Sequence, residues 1–345
     1  MEQITDILSF IDEHESLFSG IAAIIAIIGV CGAFVLRLRA HLKVRRIQDA
    51  TEPAETKQRT LHQDIHYTRA EPNVRIAWSA IGNGTTLVRS LGWFTNLEVE
   101  WNYPGSRACI EALARHYRYV RYDARGMGMS ERNVDEVSAA TRLLDLEAVI
   151  NAAGADRFIL MGVSEGGSTA IEYAAKYPEK VSHLILWGSF LKMPNDPHLG
   201  QQWSALTKLI AKQWGTSNRG LLQILTSIFL PDGDSSQNNF FNTLQKASTE
   251  GEVALQTIRS ISQVDVSAAA PTLKVPTLVI HRTGDLAIPV ELGREVAATI
   301  PGAKLVQLDG ADHWIHADLQ AFEEIIEEIK KFVFETASAN SIEAS

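Results

Sequence analysis

Three short segments hold residue types that could make and break an acyl bond. Gly162-Val163-Ser164-Glu165-Gly166 fits the pattern G-x-S-x-G and lies between the apolar run RFILMGV and the helix-like run EGGSTAIEYAAKY. A serine in a tight strand-to-helix turn is pushed into the open, and glycines on either side leave it room. The start of the helix adds a positive dipole end and a free N–H for a developing oxyanion. The bland reading of the same residues is a turn with a serine N-cap. A hydroxyl needs a base before it attacks, and in this topology the acid and then the base follow the nucleophile. Arg282-Thr283-Gly284-Asp285 follows the run TLVIH, and Ala311-Asp312-His313-Trp314 follows KLVQLDG. The expected set is therefore Ser164 as nucleophile, His313 as base and Asp285 as the group that orients the imidazole. His316 is a rival base and Asp196 a rival acid, and Asp285 could also be a plain turn residue.

An oxyanion would be held by the backbone N–H of Glu165 and by one from the loop Leu91-Gly92-Trp93-Phe94, where Gly92 permits a tight bend and Trp93 N–H is the candidate donor. Trp93, Phe94 and Trp101 are expected either to line an acyl pocket or to pack against a lid. Gly162 and Gly166 are the elbow glycines. No metal-ligand spacing, phosphate-binding loop or dinucleotide fingerprint is present, so no cofactor is expected; Gly126-Met127-Gly128 follows a strand but lacks the third glycine and the helix.

Alternating elements must carry these residues. Strands are expected at Asp64–Thr68, Val74–Ala80, Thr86–Leu91, Tyr117–Tyr122, Phe158–Val163, Leu184–Trp187, Thr277–His281 and Lys304–Leu308. Helical patterns fall between them at Arg107–His116, Ala139–Ala153, Glu165–Lys176, Val290–Thr299 and Ala317–Phe334. This order predicts an α/β fold, a mostly parallel eight-stranded sheet with helices on both faces, whose chemistry sits at the carboxyl ends of the strands. Residues 190–270 break the alternation with helical patterns alone (Gln202–Gln213, Leu221–Phe229, Asn239–Ala247 and Val253–Ile261). They are expected to form a lid, or a purely structural cap.

The chain has 345 residues, which suits one large domain, here 61–335, with an appendage. Its net charge of −9 argues against nucleic acid as a partner. The two cysteines, Cys31 and Cys109, are not expected to pair. From Leu17 to Leu36 every residue is apolar or small, enough at helical rise to span about 30 Å of hydrocarbon. The preceding segment 1–16 is acidic, whereas Arg37, Arg39, Lys43, Arg45 and Arg46 follow. A secretory signal would carry a positive start, so the run reads as a transmembrane helix with everything from residue 37 cytoplasmic; a buried core helix is the alternative. Residues 37–60 read as basic flank and linker, and 336–345 as a disordered tail.

From about residue 64 to 335 the chain resembles the α/β-hydrolases. The resemblance rests on Tyr122-Asp123-Ala124-Arg125-Gly126-Met127-Gly128-Met129-Ser130, the elbow GVSEGG, AAKYPEKVSHLILWGS, and KVPTLVIHRTGDLAIPVELG followed by GADHW. It looks especially similar to hydrolase domains fused to bacterial adenylate cyclases or transcriptional regulators. Carried over by position, the resemblance implies Ser164, Asp285 and His313 as a triad. Many such relatives have His-Gly where this chain has Leu91-Gly92. Branches of the fold with an Asp nucleophile are excluded by Ser164. The expected function is hydrolysis of a small-molecule carboxylic ester, thioester or lactone, its acyl group lipophilic to suit an apolar lid. The alternatives are a membrane-tethered small-molecule sensor or an acyltransferase.

Overall fold

The computed structural model describes residues 61–193, 197–214, 220–314 and 318–343. The expected span at 17–36, its flanks, Asp196 and His316 lie outside the described residues. Among the described residues no helix is long and apolar enough to cross a membrane.

Eight strands, β1 (His66–Ala70), β2 (Val74–Ile81), β3 (Thr86–Leu91), β4 (Arg118–Tyr122), β5 (Phe158–Val163), β6 (Val181–Trp187), β7 (Thr277–Arg282) and β8 (Lys304–Leu308), form one sheet in the order β1-β2-β4-β3-β5-β6-β7-β8. β2 is antiparallel to both its neighbours, and every pair from β4 to β8 is parallel. All six residues of β5 and of β7 are buried. Side chains alternate sides along a strand, so both faces of the sheet must be covered. The cover is supplied by α2 (Pro104–Ala114), α3 (Ala139–Ala152), α4 (Gly166–Lys176), α9 (Val290–Thr299) and α10 (Leu319–Glu343), with α2 packed on α10 and α3 on α4. A short α1 (Leu97–Asn102) precedes α2.

The region expected to be a helical lid consists of α5 (Pro197–Gln213), α6 (Gly220–Phe229), α7 (Ser235–Ser248) and α8 (Gly251–Gln263). It is tied down at several points. Gly128 N–H donates to Ser248 O at 2.7 Å, and Thr249 Oγ1 donates to Gly126 O at 2.9 Å. Arg132 Nη1 donates to the carbonyls of Ala247 and Ser248.

Several elements depart from the expected bounds, and four departures have a clear local reason. β1 runs two residues further than expected, to Ala70, because the turn that pairs it with β2 is closed there by Asn73 N–H on Ala70 O. α2 starts at Pro104 rather than Arg107, since proline suits the first turn, where no N–H is needed. The tail expected to be disordered from Thr336 is instead helical as far as Glu343. Thr336 Oγ1 bonds Phe332 O at 2.8 Å and His183 Nε2 at 2.8 Å, which ties that turn to β6. Helix α1 has no counterpart in the expected elements. Asn96 caps it by accepting from Val99 N–H. Its Glu100, fully buried, sits 3.0 Å from Arg89 of β3 and 3.1 Å from Arg121 of β4. Two buried guanidiniums need an anion between them, so the helix closes a charge cluster against the neighbouring strands β3 and β4.

Candidate active site

Ser164 stands between β5 and α4 with φ +54°, in the left-handed region that a side chain enters at a cost. Its N–H donates to Trp187 O at 2.9 Å. The flanking glycines are sterically required. A Cβ on Gly162 would lie 2.5 Å from Gly167 Cα, and one on Gly166 2.3 Å from Ser90 O. Helix and sheet therefore approach closely only because these positions are bare.

Asp285 follows β7 and His313 follows β8, as expected for residues at the carboxyl ends of neighbouring strands. His313 Nδ1 lies 2.6 Å from Asp285 Oδ2. The other carboxylate oxygen accepts from the N–H groups of Ala287 and Ile288, both at 2.9 Å. Both side chains are buried, and His313 Nε2 has no hydrogen-bond partner among the described residues. A carboxylate on Nδ1 fixes the tautomer with the proton there and leaves Nε2 as a proton acceptor. A second histidine, His281, lies 3.6 Å from Asp285 Oδ2 through Nε2, which also bonds Ile288 O at 2.7 Å. Burial holds its pKa down. The neutral ring, donating to a carbonyl, supports the Asp285 loop.

Two residues that the sequence did not single out hold His313. Gly188, after β6, has φ +53°, and a Cβ there would lie 2.8 Å from His313 Cε1. Phe229, the last residue of α6, accepts backbone hydrogen bonds from both His313 and Trp314 at 3.0 Å, and its ring meets the imidazole edge-on at 5.3 Å. The Trp-Gly-Ser segment after β6 was a legible signal for Gly188. Phe229 had none, because its contact depends on how the lid folds back.

Ser164, Glu165 and His313 open into one cavity of about 460 Å³. The rest of its wall is apolar, with Leu209 and Ile224 from the lid and Leu286 beside Asp285. Ile224 and Leu286 are among the few large apolar side chains left exposed. Trp93 and Phe94 line the cavity; Trp101 does not. Trp101 is carried away on α1 and stacks under the Arg107 guanidinium at 4.4 Å. Phe94 takes a left-handed φ of +58° and packs against Trp93, Trp214, Phe229 and Phe241, joining the loop after β3 to the lid. Among the described residues neither Trp93 N–H nor Glu165 N–H makes a hydrogen bond. The Glu165 side chain, also buried, sits with Oε1 3.2 Å from Arg142 Nε. Burial raises its pKa, and the Arg142 charge opposes the rise.

A half-buried serine that lines the cavity, a histidine with one free nitrogen and two unused N–H donors can together support nucleophilic acyl transfer. The comparisons agree at the level of family. The family described as alpha/beta hydrolase fold matches residues 92–318. The AB hydrolase superfamily protein YisY of Bacillus subtilis is 26% identical over 257 residues, 72% of this chain and 92% of that protein. A putative carbamate hydrolase, RutD of Klebsiella pneumoniae, is 27% identical over 214 residues, 60% of this chain and 77% of the relative. Among solved structures, the esterase EaEST from Exiguobacterium antarcticum superposes with a TM-score of 0.67 at 22% identity, covering 77% of this chain and 98% of that one.

Proposed function

Because this chain belongs to the α/β-hydrolase family and is a hydrolase of that family, we propose that it cleaves a carboxylic ester, thioester or lactone through an acyl-enzyme on Ser164. In this reading Ser164 Oγ attacks the carbonyl carbon as its proton passes to His313 Nε2. Asp285 stabilises the resulting imidazolium, and the N–H groups of Trp93 and Glu165 take the oxyanion. The tetrahedral species collapses with loss of the alkoxide or thiolate, which leaves with the proton from His313. Water repeats the sequence and frees the acid. The observation that carries the reading is the 2.6 Å His313–Asp285 contact with Nε2 left free, in the cavity that Ser164 opens onto.

The cavity supports a narrower substrate class. Among the described residues no cationic side chain lines it, and the Glu165 carboxylate in its wall is paired with Arg142. A charged acyl group would be desolvated against these residues without a partner, which supports an uncharged, lipophilic acyl group. About 460 Å³ lies within the range that accepts a drug-sized ligand. The apolar run 17–36 with its basic C-terminal flank supports a membrane anchor with the hydrolase domain on the cytoplasmic side; alkaline extraction of membranes from expressing cells should leave the protein in the pellet. Full-length protein in detergent is then assayed with p-nitrophenyl acetate, p-nitrophenyl octanoate and a p-nitrophenyl carbamate, the last because of the carbamate hydrolase relative. Turnover favouring the octanoate, with acyl mass trapped on the Ser164 peptide, is the expected result. Turnover with the acyl group on no serine would overturn the reading.

A further inference from the structure

The structure points to a role for the Glu165 side chain that its place in the elbow does not require: we propose that Glu165, held by Arg142, is a positioning residue that sets the oxyanion loop through Gly92. This rests on the serine hydrolase reading. The observations are steric and electrostatic together. The Glu165 side chain leaves the elbow and turns toward the loop after β3. A Cβ built on Gly92 would lie 1.4 Å from Glu165 Oε2, 2.6 Å from Cδ and 3.3 Å from its Cβ. Oε2 thus fills the space that any larger residue at position 92 would claim, directly beside the peptide carrying Trp93 N–H.

The carboxylate is kept there from the far side. Oε1 is 3.2 Å from Arg142 Nε, and Arg142, itself buried on α3, reaches Thr257 of the lid helix α8 at 3.4 Å. Among the described residues Glu165 Oε2 has no hydrogen-bond partner. An ion pair buried with one oxygen unsatisfied is a costly way to fill a small space, and an apolar side chain would fill it at lower cost. What the pair supplies instead is a stiff wedge: a side chain fixed at its tip by charge and at its base by the elbow. It also places Arg142 where it offsets the carboxylate's repulsion of an oxyanion forming a few atoms away. Trp93 N–H and Glu165 N–H are then fixed relative to each other by one side chain, which preorganised oxyanion binding needs.

The test is a double-mutant cycle between Gly92→Ala and Glu165→Ala in the full-length protein, assayed with p-nitrophenyl octanoate and normalised by fluorophosphonate titration of active sites. With Glu165 present, Gly92→Ala should lower kcat by roughly 100-fold, the scale of losing one oxyanion donor, with KM within about threefold. With Glu165→Ala in place, the methyl group has room, and Gly92→Ala should cost less than about threefold in kcat, since contacting residues couple. Equal losses in both backgrounds would overturn the proposal. If Glu165→Ala leaves Arg142 unpaired and the protein does not fold, only the two members that carry Glu165→Ala also carry Arg142→Met, so that no charge is left buried alone while the Glu165-containing members keep the pair. Normalisation per labelled site removes effects on folding alone. A wild type that takes no fluorophosphonate defeats the serine reading, whereas an additive cycle in labelled, active proteins defeats only this one.

Discussion

Gly188→Ala tests the arrangement around His313 without touching any reacting group. The methyl group would sit 2.8 Å from His313 Cε1, 3.1 Å from Nδ1 and 3.6 Å from Asp285 Oδ2. Carbon atoms rest about 3.5 Å apart or more, so the ring must retreat by roughly 0.7 Å. It has little freedom to do so. Asp285 holds Nδ1 at 2.6 Å, and Phe229 holds the backbone and packs edge-on against the ring. Misplacement on the ångström scale can cost about 100-fold in rate, so kcat per active site should fall by about 10- to 100-fold with KM little changed. The left-handed backbone adds a stability cost of about 1–2 kcal/mol for any residue with a Cβ. Gly154→Ala separates the two effects. Gly154 has φ +61°, yet a Cβ there meets nothing within 4 Å. It should lose similar stability in urea unfolding and keep its kcat. A Gly188→Ala enzyme within threefold of the wild type, or a Gly154→Ala enzyme equally slow, would refute the reasoning.

Three further outcomes are expected. Asp123 is buried, and desolvation raises its pKa from 3.8 to about 6. The folded state therefore favours the protonated form: its contribution is complete below about pH 3.8 and is lost as pH rises through about 6. The stability of the wild type relative to Asp123→Asn should fall by about 3 kcal/mol between those limits in urea titrations, and a difference that stays flat with pH would contradict this. Leu209→Trp on the lid helix α5 narrows the cavity, so the ratio of octanoate to acetate turnover should drop about tenfold on the scale of lost methylene contacts, while Trp101→Ala leaves the ratio unchanged; equal ratios for Leu209→Trp and wild type would place the acyl group elsewhere. Cys109 is buried, and desolvation pushes its thiol far above the usual range, so peptide mapping should find it unalkylated after iodoacetamide treatment of native protein near neutral pH; modification of Cys109 in folded protein would contradict its placement.

The parts of the site that could be read from the chain are those set by local pattern. Ser164 sits where an apolar strand meets a helix, and Asp285 and His313 each follow a strand whose residues alternate or run apolar, so counting elements placed all three. The sheet was legible for the same reason: buried parallel strands such as β5 and β7 stand out as short apolar runs. Contacts that depend on the return path of the chain were hidden. Trp101 reads like its aromatic neighbours Trp93 and Phe94, but α1 turns it toward Arg107, and α1 exists to seat Glu100 between two arginines far apart in sequence. The Arg142–Glu165 pair joins helix α3 to the elbow across 23 positions and leaves no periodic trace. The tail from Thr336 reads as small and polar, yet its hydroxyl is anchored to His183 of β6.

The central claim is that Ser164 is activated by His313. Full-length protein in detergent, treated with a fluorescent fluorophosphonate beside Ser164→Ala and His313→Ala, tests it directly. Stoichiometric labelling of the wild type on the Ser164 peptide, none in Ser164→Ala and a labelling rate at least about 100-fold slower in His313→Ala is the predicted result. Labelling that persists in Ser164→Ala, or a folded wild type that takes no label, would contradict it.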